Sequence, residues 1–358
     1  MSLRIEQIEE SRRKQRPASD AELAFGRYFT DHMMMWNFSA EQGWHDLRIV
    51  PHQPLTLDPA SMILHYGQQV FEGLKAYRTA EGGIHLFRYR DHLARLARSA
   101  ARLCIPAFDQ QQFADALRQL VLLDRHWVPE SDGCALYVRP TIIATDPFLG
   151  VRPSQTYLFY VILSPVGAYY PEGFNPVRIM AHDSYVRAVA GGVGEAKTAG
   201  NYAASMLAQL EAKKQGFTQV LWLDGKEHRY VEEVGTMNIF FKIGEEIITS
   251  PLTGSILPGV TRDTTITVLR DWGYTVSERA LTIDAVLAAA ADGSLDEVFG
   301  TGTAAVISPV GHIGFRGKTE RVGDGLTGEL SQRLFDHITA LQYGRVPDTH
   351  GWVERIDL

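Results

Sequence analysis

One lysine lies in an unusual sequence context. Lys197 stands in GGVGEAKTAGNY, a stretch over 191–202 with four glycines. Lysine is normally a solvated surface charge, whereas glycine backbone bends easily and approaches a ligand closely. A lysine held against a ligand loses hydration and becomes a nucleophile that forms imines with carbonyl compounds. A flexible surface loop is the simpler explanation of the same composition, so the stretch alone leaves both interpretations open.

A carboxylate that would complement such a lysine follows further along the chain. Glu233 lies beside Gly235, just before the predicted strand MNIFFKI. If the lysine binds a pyridine aldehyde cofactor, a carboxylate at the ring nitrogen keeps that nitrogen protonated and the ring electron-accepting. By itself, Glu233 is more typical of a solvated strand end.

Two short stretches are candidates for anion binding. PGVT at 258–261 precedes a predicted helix, whose first N–H groups and dipole attract negative charge. GTGTA at 300–304 combines two hydroxyls with glycines expected in a turn, as in a backbone nest. Each alone also fits a capped helix start or a tight β-turn. Neither GxxxxGK[ST] nor a GxGxxG in a strand-to-helix context is present, which favours a single phosphate over a nucleoside triphosphate or a dinucleotide.

Composition excludes several classes of function. The chain has 358 residues, 45% of them apolar, which predicts about two domains. Its net charge of −7 argues against nucleic acid as a partner. Cys104 and Cys134 have no metal-like spacing, so no metal site is expected. No apolar run reaches the roughly 20 residues of a membrane span, and the charged opening residues do not resemble a signal peptide. We therefore expect a cytoplasmic protein without a membrane association.

The elements that must position these residues divide into two predicted domains. A smaller N-terminal α/β domain is expected over 1–165, a linker rich in proline and glycine over 166–177, and a larger C-terminal domain over 178–358. In the first domain, GGIHLFRYR, ALYVRPTIIAT and QTYLFYVILS are typical of strands. Helices are expected near 91–104 and 110–124, the second with a buried apolar stripe. The residues of that stripe are Phe113, Leu117, Leu120 and Val121.

In the second domain, a helix is expected directly after Lys197. Asn201 is its predicted N-cap and Gly216 its end. Hairpins are expected about Asp224 and Gly225, and about Gly244. A further helix should begin near Thr261, two strands should be joined by the Gly/Thr stretch at 300–304, and a closing helix should cover 325–343.

Taken together, the motifs resemble the branched-chain amino acid aminotransferases, which are pyridoxal 5'-phosphate (PLP) enzymes of fold type IV. The matching stretches, in family order, are FGRYFTDHM, LHYGQQVFEGLKAYR, RLARSAARL, YVRPT, GEAKTAGNYAAS, EEVGTMNIFF, LPGVTR and FGTGTAA. The resemblance implies a two-domain mixed α/β fold with its active site at the domain interface. It also implies reversible transfer of the amino group of L-leucine, L-isoleucine or L-valine to 2-oxoglutarate through a PLP Schiff base.

The resemblance also assigns cofactor-binding roles. Lys197 would form the Schiff base and move the proton between the substrate Cα and C4′ of the cofactor. Glu233 would pair with the pyridinium nitrogen, and Tyr202 would hydrogen-bond the ring hydroxyl. The phosphate would be bound by Arg95, Val260, Thr261 and Thr301. The full cofactor set is Arg95, Lys197, Tyr202, Glu233, Thr236, Val260, Thr261 and Thr301.

A second set of residues would bind the substrates. Thr303 and Ala304 would offer backbone donors to the α-carboxylate, and Arg139 would receive the second carboxylate of glutamate or 2-oxoglutarate. The resemblance further implies a homodimer in which a loop of the partner, FLGV with Leu149 and Val151, completes the site. The apolar pocket would be walled by Phe25, Tyr66, Phe71, Tyr137, Thr236 and Ala304.

Other functions stay open at this point. A D-amino acid aminotransferase or an aminodeoxychorismate lyase shares the lysine and glutamate but not FEGLKAYR and YVRPT. A non-catalytic scaffold would be expected to lose Lys197 or Glu233, and this chain has both. A Schiff-base aldolase without cofactor would lack phosphate-binding loops. The redox CxxC of some larger relatives is absent, because Ala305 and Ser308 occupy the matching positions.

Overall fold

The computed structural model describes residues 3–167 and 174–356, so the predicted linker over 166–177 lies partly outside the described residues. Within these ranges the strands are β1 (Arg4–Ile5), β2 (His32–Ser39), β3 (Gly43–Pro51), β4 (Gln69–Phe71), β5 (Leu74–Arg78), β6 (Ile84–Phe87), β7 (Ala135–Ala144), β8 (Thr156–Val166), β9 (Val177–Ala181), β10 (Gln219–Leu223), β11 (Val231–Val234), β12 (Met237–Ile243), β13 (Glu246–Thr249), β14 (Thr275–Glu278), β15 (Leu295–Gly302), β16 (Val306–Phe315), β17 (Lys318–Arg321) and β18 (Val353–Arg355). The α-helices are α1 (Met62–Tyr66), α2 (Tyr89–Arg102), α3 (Gln110–Leu123), α4 (Ala199–Ala203), α5 (Met206–Lys214), α6 (Val260–Asp271), α7 (Ile283–Asp292) and α8 (Glu329–Gln342).

By its contacts the chain forms two compact units. The first contains the described residues before position 170, Ala196–Ala199 and those from position 340 onward, and the second contains the rest. Lys197 thus belongs to the first unit, although the residues on either side of Ala196–Ala199 belong to the second. The predicted domains over 1–165 and 178–358 remain a prediction.

The first unit is built on a nine-stranded sheet. Its strands follow the order β1-β3-β2-β8-β7-β5-β6-β18, and β4 pairs with β7 beside this path. Helices α2 and α3 cover the sheet with apolar faces. The stripe predicted in α3 is buried as expected, and the Phe113 ring stacks on Phe159 of β8 with centroids 4.5 Å apart. Asp109 caps α3 by accepting hydrogen bonds from the backbone N–H groups of Gln111 and Gln112.

The second unit contains a closed ring of strands. Its sheet follows the order β11-β10-β9-β16-β15-β12-β13-β14, and β11 also pairs with β12. The six strands from β11 through β10, β9, β16 and β15 to β12 therefore pair in a closed ring. Their apolar side chains form a second core together with α7. Strand β17 extends β16 outside this ring. The polar residues of β11, β12 and β15 that matter below are neighbours in this ring.

The helix predicted after Lys197 differs from the expectation in two ways. It is interrupted into α4 and α5, and Asn201 is not an N-cap, because it lies inside α4 and its amide donates to the Val193 carbonyl. The apolar residues Met206 and Leu210 are 62% and 58% exposed, and α5 packs through small alanines instead. Gly216 follows the end of α5 with φ +80°, as predicted.

The predicted strand pairs are present. Strands β10 and β11 form an antiparallel pair whose connection is held by the Asp224 carboxylate, which accepts four backbone hydrogen bonds. Strands β12 and β13 form the second hairpin, with Gly244 at φ +56°.

The glycines of GTGTA are not where the sequence suggested. Gly300 and Gly302 lie within strand β15, and the turn that follows covers 303–305. A side chain at Gly300 would place its Cβ 2.9 Å from Met237 Cε, so close packing rather than turn geometry explains this glycine. The nest predicted from turn-forming glycines is therefore wrong at these two positions.

The closing helix predicted over 325–343 is α8, and its apolar residues Leu330, Leu334, Ile338 and Leu341 are all buried. Among the described residues, no helix combines the length and the apolar character needed to cross a bilayer.

Candidate active site

The backbone of Lys197 is fixed on both sides within the first unit. Its N–H donates to Ser99 Oγ at 2.9 Å, and its carbonyl accepts from the Phe71 N–H at 3.0 Å. The next residue, Thr198, forms a bridge with Val70 and donates its hydroxyl to the Gln69 carbonyl at 2.7 Å. The lysine is therefore carried by the edge of β4 and by α2, and the flexible-loop interpretation is wrong for Lys197.

The neighbouring glycines have distinct roles. Gly191 adopts φ +79°, where other residues are strained. A Cβ at Gly194 would lie 2.1 Å from the Ser255 carbonyl oxygen, so this glycine permits close backbone packing. Gly200, by contrast, has open space around it.

Four predicted substrate residues, Phe25, Phe71, Tyr137 and Arg139, cluster beside the lysine in the first unit. Lys197 Nζ lies 4.9 Å from the Phe71 ring centroid, and the Arg139 guanidinium lies 4.8 Å from the same ring. Arg139 donates to the Tyr137 hydroxyl at 3.1 Å, while its buried Nε has no hydrogen-bond partner in the structure. The Phe25 ring meets Tyr137 edge-on at 4.9 Å. An amine, a guanidinium and aromatic surface are thus assembled in one place.

A second predicted group lies on an exposed loop. The Tyr66 hydroxyl donates to the Leu149 carbonyl. Leu149 and Val151 are 65% and 87% exposed, and Tyr66 is 40% exposed. The Tyr66 hydrogen bond therefore joins this exposed loop to the end of α1.

Arg95 lies in α2 and is almost fully buried. Its Nε and Nη2 donate to the two oxygens of Glu72 at 2.7 and 2.9 Å. His92 adds an Nδ1 contact to Glu72 at 2.9 Å. Burial opposes the ionisation of Glu72, but Arg95 outweighs it and holds the pKa of that carboxyl well below its ordinary value. Arg95 is therefore an oriented cation rather than a mobile one.

Glu233 lies in β11 of the second unit and is buried. Arg187 forms an ion pair with its Oε2, and the Asn238 amide donates to its Oε1 at 3.3 Å. Burial raises the pKa of the Glu233 carboxyl to about 7, Arg187 opposes this rise, and the neighbouring Glu232 adds to it. A cation placed at this carboxylate would favour its ionised form.

Tyr202 and Thr236 share a small cavity with Glu233. Arg187 and Leu257 complete its walls together with Asn201, Ser205 and Gly235. Tyr202 is half-buried, whereas Thr236 is exposed at the rim. Three of the predicted cofactor residues are thus brought together in the second unit.

Asn238 links the strand that carries the predicted phosphate residue Thr301 to the loop before α6. In the sheet, Asn238 of β12 lies opposite both Glu233 of β11 and Thr301 of β15. Its amide also donates at 3.0 Å to the carbonyl of Leu257, in the loop before α6. The Thr301 hydroxyl is buried and has no hydrogen-bond partner in the structure.

Helix α6 begins at Val260, followed by Thr261, and both residues are buried. No side chain caps this helix start, because Gly259 occupies the N-cap. A helix N-terminus of this kind attracts an anion. Thr303 and Ala304 lie in the turn between β15 and β16 and are half-buried.

Comparison with known proteins identifies the family. A family model described as amino-transferase class IV matches residues 69–313. The branched-chain-amino-acid aminotransferase 2 of Bacillus subtilis (strain 168) is 54% identical over 335 residues, which are 94% of this chain and 92% of that protein. This chain belongs to the branched-chain amino acid aminotransferases of class IV.

Two solved structures resemble this aminotransferase over nearly its whole length. The branched-chain amino acid aminotransferase of T.th. with pyridoxamine 5'-phosphate is 31% identical, has a TM-score of 0.75, and is matched over 90% of this chain and 98% of that chain. The same enzyme complexed with N-(5'-phosphopyridoxyl)-L-glutamate is 30% identical, with the same TM-score of 0.75 and coverage of 90% and 98%. The predicted family, mixed α/β fold type IV and transaminase class are therefore confirmed.

The polar groups of this aminotransferase fit PLP. The unpartnered, buried hydroxyl of Thr301 and the uncapped start of α6 suit a phosphate, and the buried Glu233 carboxylate suits a protonated ring nitrogen. In the described part of the chain, no group of three or more His, Cys, Asp or Glu side chains could hold a metal ion.

Several residues of the aminotransferase site were missed from the sequence. Glu72 and Asn238 lie inside the quoted motifs FEGLKAYR and EEVGTMNIFF, but as single polar residues they carried no signal of burial. Ser99 follows Arg95 by four positions on α2, so helical spacing could have placed it on the same face. Arg187 had no local signal, because its partners Gly194, Glu233 and Ser255 are distant in sequence or in another element.

Proposed function

We propose that this chain transfers the amino group of L-leucine, L-isoleucine or L-valine reversibly to 2-oxoglutarate with pyridoxal phosphate as cofactor. The observation that carries the proposal is the fixed Lys197, whose Nζ lies 4.9 Å from the Phe71 ring, beside Arg139 at 4.8 Å from that ring. The names and ligands of its relatives agree with this function: the 54% identical relative is a branched-chain-amino-acid aminotransferase, and a solved relative holds a phosphopyridoxyl glutamate.

The cofactor would be held by groups of stated chemistry. When bound, pyridoxal phosphate supplies a carbonyl for the amino group and a ring that withdraws electrons from the substrate Cα. Glu233 would hold the pyridine nitrogen, with Arg187 and Asn238 keeping its carboxylate in place. Arg95, Thr301 and the start of α6 at Val260 and Thr261 would hold the phosphate. Tyr202 would donate to the ring hydroxyl.

Lys197 would have two tasks. Its amine would bind the cofactor covalently at rest, and the same Nζ would move the proton to and from the substrate Cα. Both tasks require that the amine return to the same position. The hydrogen bond that the Lys197 N–H donates to Ser99 and the one that its carbonyl accepts from Phe71 fix the backbone from which the amine extends. Transfer in the two directions therefore depends on one amine held in one place.

The substrate side must accept two kinds of side chain in turn. Phe25, Phe71 and Tyr137 offer apolar surface for a branched hydrocarbon. Arg139 would offer a half-buried guanidinium, whose Nε is buried and has no hydrogen-bond partner in the structure, to the second carboxylate of glutamate. Thr303 and Ala304 would present backbone donors to the α-carboxylate that both substrates share.

The assembly and the location belong to the same proposal. The exposed Leu149 and Val151 would enter the site of a partner copy in a homodimer. Tyr66 and Thr236 keep their predicted role as walls of the apolar pocket. We also place the enzyme in the cytoplasm, acting on small amino acids and 2-oxo acids.

Product analysis tests the function directly. Purified protein incubated with PLP, L-leucine and 2-oxoglutarate should yield glutamate and the 2-oxo acid of leucine, identified by mass spectrometry. Lys197→Ala should lower this rate by roughly 10³-fold or more, whereas Lys213→Ala, at the exposed end of α5, should not change it. Faster turnover of D-alanine, or pyruvate release from aminodeoxychorismate, would instead support one of the other fold-type IV activities.

A further inference from the structure

A buried ionic cluster in the first unit connects the proposed phosphate-binding arginine to the lysine. Glu72 is fully buried, and its two oxygens receive Arg95 Nε at 2.7 Å and Arg95 Nη2 at 2.9 Å. His92 Nδ1 approaches the second oxygen at 2.9 Å, and the Gly73 N–H donates to it at 3.1 Å. This carboxylate is thus held by buried groups rather than by solvent.

The pairing fixes the plane and direction of the Arg95 guanidinium. Glu72 takes the edge made by Nε and Nη2, and His92 Nδ1 lies 3.3 Å from the same Nη2. A guanidinium is planar, so fixing one edge fixes the direction of the other. Long arginine side chains otherwise lose considerable rotamer freedom when they bind a ligand. A buried carboxylate that orients Arg95 in advance removes this loss.

The same elements hold the lysine. Glu72 directly follows Phe71, whose N–H donates to the Lys197 carbonyl, and Ser99, one turn after Arg95 on α2, accepts the Lys197 N–H. Strand β4 and helix α2 therefore position the arginine and the amine from one rigid base. A shift of Arg95 would move the phosphate of a bound cofactor relative to Lys197 Nζ.

We propose that Glu72 is a positioning residue for cofactor binding, which acts through Arg95 by aiming its guanidinium at the phosphate, with His92 supporting the carboxylate. This inference rests on the proposed function, because it takes Arg95 as a phosphate ligand. It predicts that Glu72 matters for ligands with a phosphate and not for the same ligand without one.

Two ligands separate this role from a general role in stability. PLP and pyridoxal differ only in the phosphate, so both should be titrated into apoprotein and their Kd values followed by absorbance. Glu72→Gln should weaken PLP binding by about 10- to 100-fold, as expected for the loss of a hydrogen-bonded charge partner. Its effect on pyridoxal should stay below about threefold.

The matched control is Glu354→Gln. Glu354 is half-buried and also pairs with an arginine of α2, Arg90, which is exposed and takes no part in the Glu72 cluster. This variant should leave both Kd values unchanged.

A double variant covers the case in which Glu72→Gln fails to fold. Arg95→Gln with Glu72→Gln removes both buried charges together, which is better tolerated than leaving one unpaired. If Glu72 acts through Arg95, the double variant should show the same ratio of PLP to pyridoxal affinity as Arg95→Gln alone. Far-UV circular dichroism and Tm establish that each variant is folded.

The outcomes are distinct. An equal loss for PLP and pyridoxal in folded Glu72→Gln, or a further drop in the ratio in the double variant, would overturn the positioning role while leaving the proposed function intact. Wild-type apoprotein that binds neither ligand would contradict the proposed function and this inference together.

Discussion

At the scale of single residues, the ionisation of Glu233 is set by its surroundings. Burial raises the pKa of this carboxyl to about 7 from an ordinary value of 4.5, although Arg187 opposes the rise. Between pH 4.5 and about pH 7, Glu233 of the folded protein without cofactor therefore binds more protons than Glu233 of the unfolded chain. Its contribution to the free energy of unfolding accordingly falls as pH rises through this interval.

Glu233→Gln removes this pH dependence. The Tm of the Glu233→Gln apoprotein relative to that of the wild-type apoprotein should rise between pH 5 and pH 8. This change is expected even if the loss of the Arg187–Glu233 ion pair lowers the Tm of the variant at both pH values. Calorimetry at the two pH values measures it, with Glu227→Gln on the exposed loop between β10 and β11 as the control for losing one carboxylate. A difference that stays constant, or moves the other way, would show that Glu233 is already ionised when buried.

Arg139 provides a test of substrate discrimination. Arg139→Gln should raise the KM for 2-oxoglutarate by about 10- to 100-fold, because a charged hydrogen bond to the second carboxylate is lost. The half-reaction with leucine should change by less than about threefold, since leucine has no second carboxylate. Stopped-flow absorbance with each substrate separates the two effects, and Arg90→Gln on the exposed side of α2 is the control. An equal loss for leucine would mean that Arg139 supports the fold of the pocket instead.

At the scale of elements, the glycine-rich stretch before Lys197 is a packed segment. A methyl group at Gly194 would meet the Ser255 carbonyl oxygen at 2.1 Å and the Ala188 Cβ at 2.7 Å. Gly194→Ala should therefore lower Tm by at least about 3 °C, the effect of overpacking by one to a few kcal/mol. Gly200→Ala is the matched control, because it has open space and lies in α4, where alanine is preferred. Equal Tm values for the two variants would contradict this packing.

Helix α3 and strand β15 show what local sequence could and could not predict. The helix stripe Phe113, Leu117 and Leu120 was predicted correctly, because its spacing reports burial directly. Gly300 and Gly302 were placed in a turn, whereas they lie in β15 against Met237. Glycine signals the need for space or for positive φ, and only tertiary neighbours decide between the two.

At the scale of the whole molecule, the order of the motifs predicted the family and fold correctly. The roles given to Lys197, Glu233 and Arg139 rest on that resemblance and remain proposals. Pairwise partners such as Glu72 for Arg95, and Arg187 for Glu233, join residues between 23 and 46 positions apart in different elements. No periodicity within one element reports such contacts, which is why they had to come from the structure.

The proposed homodimer is tested by its exposed loop. Val151 is 87% exposed, and Val151→Asp should shift the protein towards monomer or lower leucine turnover by about tenfold, because burying an unpaired charge at an interface is costly. Leu326→Asp, at a position 67% exposed in the second unit, is the control and should change neither quantity. Analytical ultracentrifugation gives the mass. A wild-type monomer with full activity would contradict the homodimer.

In the proposed function one amine, Lys197 Nζ, carries the chemistry. The most direct measurement is borohydride reduction of the protein with bound PLP, followed by proteolysis and mass spectrometry of the peptides. One phosphopyridoxyl group is expected, on Lys197, and it should be lost when L-leucine is added before the reductant. A label on another lysine, or no label in a protein that still transfers the amino group of leucine, would contradict it.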